Sequence, residues 1–348
     1  MIRFTCSRST APVTNSLLEF AHKVSRERPL AAFQLTLRPI GLALRGVPSC
    51  RSQGACPRKE NEVVYFENPL ARVKETEELQ HTDPARSEQD AVQTAFNRHA
   101  KTYDERFSNS IVGESLRSNV WDIADEAFAS CLELLDLGAG TGEDAIHFAC
   151  NGVRVTAVDV SPDMMTRLTE KAARAGVSSR IKSVLCEMDR YSPQERLYDG
   201  LISNFGALNC IRDLSWLRDT ARNGLRPGAY VVLVTMGRLY PLEWIIFALK
   251  GQFLQAFRRF RNPCEVCVEG TKLNVHYHSL RNLRSMLGPQ FQLEQITGLR
   301  AFLPVPGWEH LAHAASFRSL RKIDEIWCRF RFTAQCADHF MTVWRYRP

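Results

Sequence analysis

A chain of 348 residues, 45% hydrophobic, is long enough for one large core plus an appendage and needs no cross-links to hold it together. Its 11 cysteines are an odd set scattered through apolar segments, which argues for reduced thiols rather than a secreted disulfide framework. The net charge of +7 is confined to the start: residues 1–59 hold ten Lys or Arg against Glu19 and Glu27, leaving −1 for residues 60–348, so the body is not a polyanion binder by charge.

Residues 1–60 are rich in Arg and Ser, broken by Pro29, Pro39, Pro48 and Pro57, and show no sustained period. They read as a disordered basic tail, with the composition either of an organellar transit peptide or of a stretch upstream of another start. Residues 61–90 read as a linker. Order is expected from residue 91, where Ala91, Ala95, His99 and Tyr103 recur at helical spacing in AVQTAFNRHAKTYDERF.

From residue 132 short apolar runs alternate with helical stretches, the pattern of βαβ units on a parallel sheet. LELLDL (132–137) is the first strand, followed by a helix from Gly142 to about Asn151. VRVTAVDV (153–160) is the second strand, and the next helix has Ser161 as its cap, Pro162 in its first position and Gly176 at its end. IKSVLCEM and YDGLISNF are the third and fourth strands. IRDLSWLRDTARNGL reads as a helix stopped by Pro227 and Gly228, before the fifth strand AYVVLVTM. LYPLEWIIFALKGQFLQAFRRFR reads as one apolar helix with a basic end, VCVEGTKLNVHYH as a strand pair around Gly270, and SLRNLRSML as a helix. FQLEQITGLR is a sixth strand, GWEHLAHAASFRSLRKIDEIWCRF a long amphipathic helix, and DHFMTVWRYR a final antiparallel strand. No apolar run approaches the roughly 20 residues that cross a bilayer. The N-terminus has no compact apolar stretch before a small-residue cleavage site, so a cytoplasmic protein is expected, with import through the tail left open.

The segment that carries chemistry is Asp136-Leu137-Gly138-Ala139-Gly140-Thr141-Gly142, between a strand and a helix. Glycines there let the backbone turn sharply and let a flat ligand approach without Cβ interference. A lone glycine triplet is weak evidence. Here Asp136 precedes the turn, Asp159 closes the next strand, and Asp189 follows the third. Glu143 stands where a dinucleotide fingerprint needs its last glycine.

Together, DLGAGTGEDAIHFA, VDVSPDMM and the three acids resemble the class I S-adenosylmethionine-dependent methyltransferases. The likeness is close over residues 95–237 and holds in outline beyond. It implies a Rossmann-like doubly wound α/β fold of seven strands in the order 3-2-1-4-5-7-6, with the last antiparallel, over residues 91–348, and a helical cap inserted at 238–278. It places Gly138, Gly140 and Gly142 along the cofactor, Asp136 near its amino-acid portion, Asp159 on the ribose, Val160 and Met164 beside the adenine, and Asp189 at the adenine edge. Ser203, Asn204 and Phe205 would lie by the methionyl part and the methyl group, and Tyr103 would close over the cofactor. The layout is most similar to small-molecule enzymes such as those of ubiquinone and menaquinone biosynthesis. SNFG stands where nucleic-acid enzymes carry an NPPY-type motif.

Other readings stay open. The turn could be purely structural, the domain could bind a nicotinamide in an oxidoreductase, or it could keep the cofactor fold as a non-catalytic binding protein. His276 with His278, and His310 with His313, are base candidates, although isolated histidines are more often satisfied core or surface residues. Cys264 and Cys267 form a CxxC without a second pair, and no metal is expected. Residues 242–261, with Trp244, Phe247, Phe253 and Phe257 before Arg258, Arg259 and Arg261, suit a lid over a hydrophobic acceptor or a helix resting on a membrane surface, or else an ordinary helix on the sheet edge.

Overall fold

The computed structural model describes residues 84–193, 195, 197–303 and 315–348. The basic tail, the linker as far as residue 83, His310 and His313 lie outside the described residues.

Seven strands form one mixed sheet: β1 (Glu133–Leu137), β2 (Arg154–Asp159), β3 (Ile181–Leu185), β4 (Tyr198–Ser203), β5 (Leu225–Met236), β8 (Phe291–Leu299) and β9 (His339–Tyr346). Their order is β3-β2-β1-β4-β5-β9-β8, with β9 running antiparallel to both neighbours. The expected order therefore holds once β6 (Cys264–Val268) and β7 (Thr271–Val275), a separate hairpin, are set aside. That hairpin turns at Glu269 and Gly270, both at positive φ, where a two-residue loop needs a tolerant backbone. On β6 the spacing of three places Cys264 and Cys267 on opposite faces, one buried and one exposed, so they are not a chelating pair.

Alternation along the central strands feeds a core on each face of the sheet. Leu134, Val155, Ala157, Ile202 and Val232 pack with α2 (Ile111–Ala127), α3 (Glu143–Cys150) and α4 (Pro162–Arg174). Leu135, Leu137, Leu201, Val231 and Trp344 pack on the other face with α5 (Leu217–Gly224) and α8 (Leu280–Leu287). The N-caps are those expected of serines: Ser161 accepts the Met164 N–H and Ser279 that of Asn282, each worth about 1 kcal/mol.

Three expectations are corrected. Helix α1 (Pro84–His99) takes in residues 84–90, which the sequence reading assigns to the linker. Pro227 and Gly228 do not stop a helix: α5 ends at Gly224, and both residues lie inside β5, where the register with β4 jumps from Tyr198↔Leu225 to Gly200↔Tyr230. A bulge tolerates a residue without an N–H. The stretch 239–261 is not one helix but α6 (Pro241–Leu249) and α7 (Phe253–Ala256), parted by Gly251 at φ +70°.

Of its three basic-end arginines, Arg259 is buried and Arg258 half-buried, while Arg261 is exposed. Arg259, 2% exposed, donates to Glu243, to the Gly237 and Asp338 carbonyls and to the Asp338 carboxylate, while Arg258 donates to Glu243. Arg300 holds the other side of Asp338. These arginines bind the insert to the start of β9. Ile245, Leu249, Phe253, Leu254, Phe257 and Phe260 remain exposed.

Candidate cofactor site

The carboxyl ends of β1, β2 and β4 converge because parallel pairing sets them in register: Asp136 lies opposite Ala157 and Ile202, and Asp159 opposite Leu185. Gly138, Gly140 and Gly142 all take positive φ in the turn after β1. A side chain on Gly138 would collide with Ala207, and one on Gly142 with Leu168, so close packing requires these two glycines. Nothing stands within 4 Å of where a Cβ on Gly140 would project, so that face of the turn is open.

Asp159 is built into this turn. Its Oδ2 accepts the Gly140 N–H at 2.8 Å and its Oδ1 accepts the Ser161 N–H at 2.9 Å. Burial pushes its carboxyl above the usual range, against the pull of those N–H groups. Asp136, 1% exposed, has an Oδ2 without a hydrogen-bond partner among the described residues. Burial, then the negative charges of Asp144 and Asp159, hold its carboxyl well above the ordinary value, and Arg117 only partly offsets them. A buried carboxylate so placed is stabilised by a cationic ligand.

The wall beyond Asp136 comes from α2 and α3. Arg117 pairs with Asp144 at 3.2 Å, Trp121 Nε1 donates to the same carboxylate at 2.7 Å, and Asn204 Nδ2 donates at 3.0 Å. Asn204 is thereby fixed at the end of β4, and the next residue, Phe205, adopts φ +43°. That strained backbone turns the Phe205 ring against Phe107 and beneath the Arg117 guanidinium, 4.8 Å away. Tyr103 touches Phe107 in turn, and burial raises its phenol with Arg117 opposing. The Tyr103 segment is tied to the glycine turn through Asp104, which accepts from Thr141 and Lys171; Lys171 also pairs with Glu143. Burial opposes ionisation of Asp104, yet Thr141 and Lys171 hold its carboxyl below the usual range.

Helix α1 crosses the ends of β2 and β3 with a stripe of amides spaced by four. Gln89 donates to Asp189, Gln93 to the Val160 carbonyl at 2.9 Å, and Asn97 accepts from Ser161 at 2.6 Å. Residues spaced by four share a helix face, which fixes the face α1 turns to the site. Asp189 and Val160 are thus held against one face of α1, and Met164, in the first turn of α4, is buried.

Ser203 is fully buried and its hydroxyl donates to the Leu137 carbonyl, stitching β4 to β1. His278 is also spent, its Nε2 lying 3.3 and 3.1 Å from the Leu208 and Ile211 carbonyls. His276 is buried without a hydrogen-bond partner for either ring nitrogen among the described residues, 3.6 Å from Glu88. Arg117, Asp144, Gln89, Gln93, Asp104 and Lys171 are contributors that the motif reading misses. Only the amide spacing on α1 was readable beforehand as a polar stripe. Among the described residues no group of three or more His, Cys, Asp or Glu is placed to hold a metal ion, and no helix is long and apolar enough to cross a membrane.

Residues 134–228 match the family model described as "Methyltransferase domain". The chain is 29% identical over 138 residues to tRNA 5-carboxymethoxyuridine methyltransferase of Escherichia coli (strain K12), covering 37% of this chain and 53% of that protein. It is 27% identical over 128 residues to an uncharacterized protein of Mycobacterium tuberculosis (strain ATCC 25618 / H37Rv), covering 37% and 43%. The chain spans about half the length of the curated relatives it matches. In fold it is similar to the CcbJ methyltransferase from Streptomyces caelestis, with a TM-score of 0.50 at 19% identity over 74% of this chain and 99% of that one. It is equally similar to the [4+2]-cyclase SpnF, with a TM-score of 0.51 at 14% identity over 74% and 97%. The sheet order and the glycine turn agree with the match of residues 134–228 to the methyltransferase-domain model, which identifies that stretch as a methyltransferase domain.

Proposed function

We propose that this protein transfers a methyl group from S-adenosylmethionine to a small, largely apolar molecule. The observation that carries this reading is the pairing of Asp159 with the Gly140 N–H, together with the buried Asp136 Oδ2 that has no hydrogen-bond partner among the described residues, at an open face of the turn. The residues suit the cofactor: Asp159 for the ribose hydroxyls, Asp136 for the methionyl ammonium, Val160 and Asp189 with Gln89 for the adenine side, and Asn204, Phe205, Phe107 and Tyr103 for the methyl end. A bound sulfonium supplies an already activated methyl group, so the chain has to align the acceptor and exclude water. Alignment is worth about 7–11 kcal/mol in well-oriented reactions. The aromatic set of Tyr103, Phe107 and Phe205 serves exclusion.

A fold shared with a cyclase does not fix chemistry, so the reading rests on the site. Glu143, paired with Lys171 where a dinucleotide site has glycine, speaks against a nicotinamide oxidoreductase. One relative's name specifies a tRNA, but the match spans 37% of this chain, and the −1 balance of residues 60–348 favours a small acceptor over a polyanion. Isothermal titration with S-adenosylhomocysteine and with NADH tests the reading: micromolar binding of the first and none of the second is expected, and the reverse would overturn it. Labelled cofactor incubated with cell extract then separates a small acceptor from RNA by the size and nuclease resistance of the labelled product.

A further inference from the structure

We propose that the insert and the C-terminal helices form a peripheral docking surface for a membrane carrying anionic phospholipids.

Both elements depart from an ordinary surface helix, which buries its apolar stripe and turns charge to water. Helix α6 buries Glu243 and leaves Ile245, Ala248 and Leu249, spaced by three and four, exposed. Leu249 is 72% exposed, and Phe253 and Leu254 of α7 continue the apolar surface. Near the end of the chain, α9 (Ala315–Cys328) and α10 (Arg331–Ala334) behave alike. Asp324 is buried and accepts the Ala301 and Phe302 N–H groups, while Ile326, Phe330 and Phe332 stand outside, the last 81% exposed. Isolated exposed apolar side chains are ordinary, but clustered ones mark an interface. Among the described residues fifteen large apolar side chains are exposed, and ten of them fall within 245–260 and 326–332, so these are not scattered exceptions.

The two stretches are anchored at the same end of the sheet. Arg259 of the insert and Arg300, just after β8, hold the same carboxylate, Asp338, and Arg259 also donates to the Gly237 carbonyl. The Gln335 carbonyl, one residue past α10, stands 3.6 Å from where a Cβ on Gly237 would project. Gly237 follows β5 at its carboxyl end, the end at which the glycine turn also lies. His339, next to Asp338, faces the Phe205 ring. On the methyltransferase reading, the anchor therefore adjoins the acceptor side of the cleft, where an apolar acceptor dissolved in a bilayer would enter.

Charge selects the occupant. Residues 244–264 and 326–337 contain no Asp or Glu, whereas Lys250, Arg261, Arg329 and Arg331 are exposed among the apolar side chains. A second copy of this chain would set like charges against each other. Nine of the ten clustered side chains are Leu, Ile or Phe, without a hydrogen-bonding tip, where protein interfaces favour Tyr, Trp and Arg anchors. An anionic bilayer offers acyl chains to the first set and headgroup phosphates to the cations. Helices of nine and four residues can rest at that depth and are too short to span.

The test mixes the full chain with vesicles of phosphatidylcholine, with and without phosphatidylglycerol, and reads co-sedimentation and tryptophan emission. Wild type is expected to bind the anionic vesicles about tenfold more tightly than the neutral ones. Its emission should shift to the blue on binding, and Trp327→Phe should diminish that shift. Because the basic tail of residues 1–59 also attracts anionic lipid, variants at the surface decide. Leu249→Ser combined with Leu254→Ser should weaken anionic-vesicle binding about tenfold. Arg329→Gln combined with Arg331→Gln should weaken it about tenfold at low salt and less at high salt. All four side chains are exposed, so melting temperature and S-adenosylhomocysteine affinity should stay at wild-type values. Absence of vesicle binding, or binding indifferent to both pairs of substitutions, overturns the proposal. Self-association, or capture by polyglutamate in place of vesicles, that the same substitutions abolish also overturns it and gives the surface to a protein partner. Loss of S-adenosylhomocysteine binding with vesicle binding intact overturns the methyltransferase reading alone.

Discussion

The Asp159 carboxylate accepts the Gly140 N–H at 2.8 Å, joining the end of β2 to the most open position of the turn after β1. The contact fixes both the carboxylate's aim and the peptide plane at which a ribose would lie. Asp159→Ala is therefore expected to weaken S-adenosylhomocysteine binding at least tenfold, about 1.4 kcal/mol. Titration calorimetry measures it, and an unchanged affinity would show that the ribose contact lies elsewhere.

Asp136 gives the same site a pH dependence whose sign can be worked out. Its carboxyl lies well above its ordinary value in the folded protein, because burial and the charges of Asp144 and Asp159 disfavour the anion. A ligand ammonium favours the anion, so binding lowers that value and expels a proton wherever the free protein still holds one. Affinity should thus rise with pH through the titration of Asp136 and level off above it. Calorimetry in buffers of different ionisation enthalpy should register proton release on the rising limb. Asp136→Asn should flatten the profile and weaken binding by about tenfold; an unflattened profile would assign the proton to another group.

The parts of this site that could be read from the sequence were those carried by local pattern. Five- and six-residue apolar runs, the cap Ser161, and the glycine turn are each written within a few consecutive residues. What could not be read was pairing across the chain: Arg117 meets Asp144 from 27 residues away and Gln89 meets Asp189 from 100, and neither partner signals the other in sequence. Ser203 shows the converse, since a polar residue at the expected position spends its hydroxyl on the Leu137 carbonyl. The break at Gly251 and the Pro227–Gly228 bulge were misread because a strong apolar period conceals where tertiary packing ends an element.

Two glycines of the turn should fail differently. Gly140→Ala meets nothing within 4 Å and bears only its φ of +54°, roughly 1–2 kcal/mol of strain. Its methyl group, however, projects into the space assigned to the ligand. Gly142→Ala carries comparable strain and also drives a methyl into Leu168, adding roughly 1–3 kcal/mol of overpacking. Gly142→Ala should therefore lose more melting temperature, and Gly140→Ala more ligand affinity per unit of stability lost. Thermal melts paired with calorimetry on both variants decide this, and equal behaviour would mean the Gly140 face is not the binding face.

Arg259 provides the last prediction, because its burial gives one arginine of a basic motif a structural role. Arg259 is enclosed by Glu243, Asp338, and the rings of Tyr240 and Tyr277 at 4.8 and 5.1 Å. Arg259→Met would leave Glu243 and Asp338 partly uncompensated, a loss of roughly 3–5 kcal/mol for a broken buried pair. Asp338, opposed by burial but held down by Arg300, His339 and Arg259, ionises well below its ordinary value. It therefore adds stability above the ordinary Asp range, and this stability is lost as pH falls through the value in the folded protein. Denaturant midpoints followed down an acid series should fall in wild type and flatten in Asp338→Asn, whose midpoint at neutral pH starts lower. If Arg259→Met instead kept wild-type stability while removing membrane-vesicle binding, the insert's basic end would have to face outward after all.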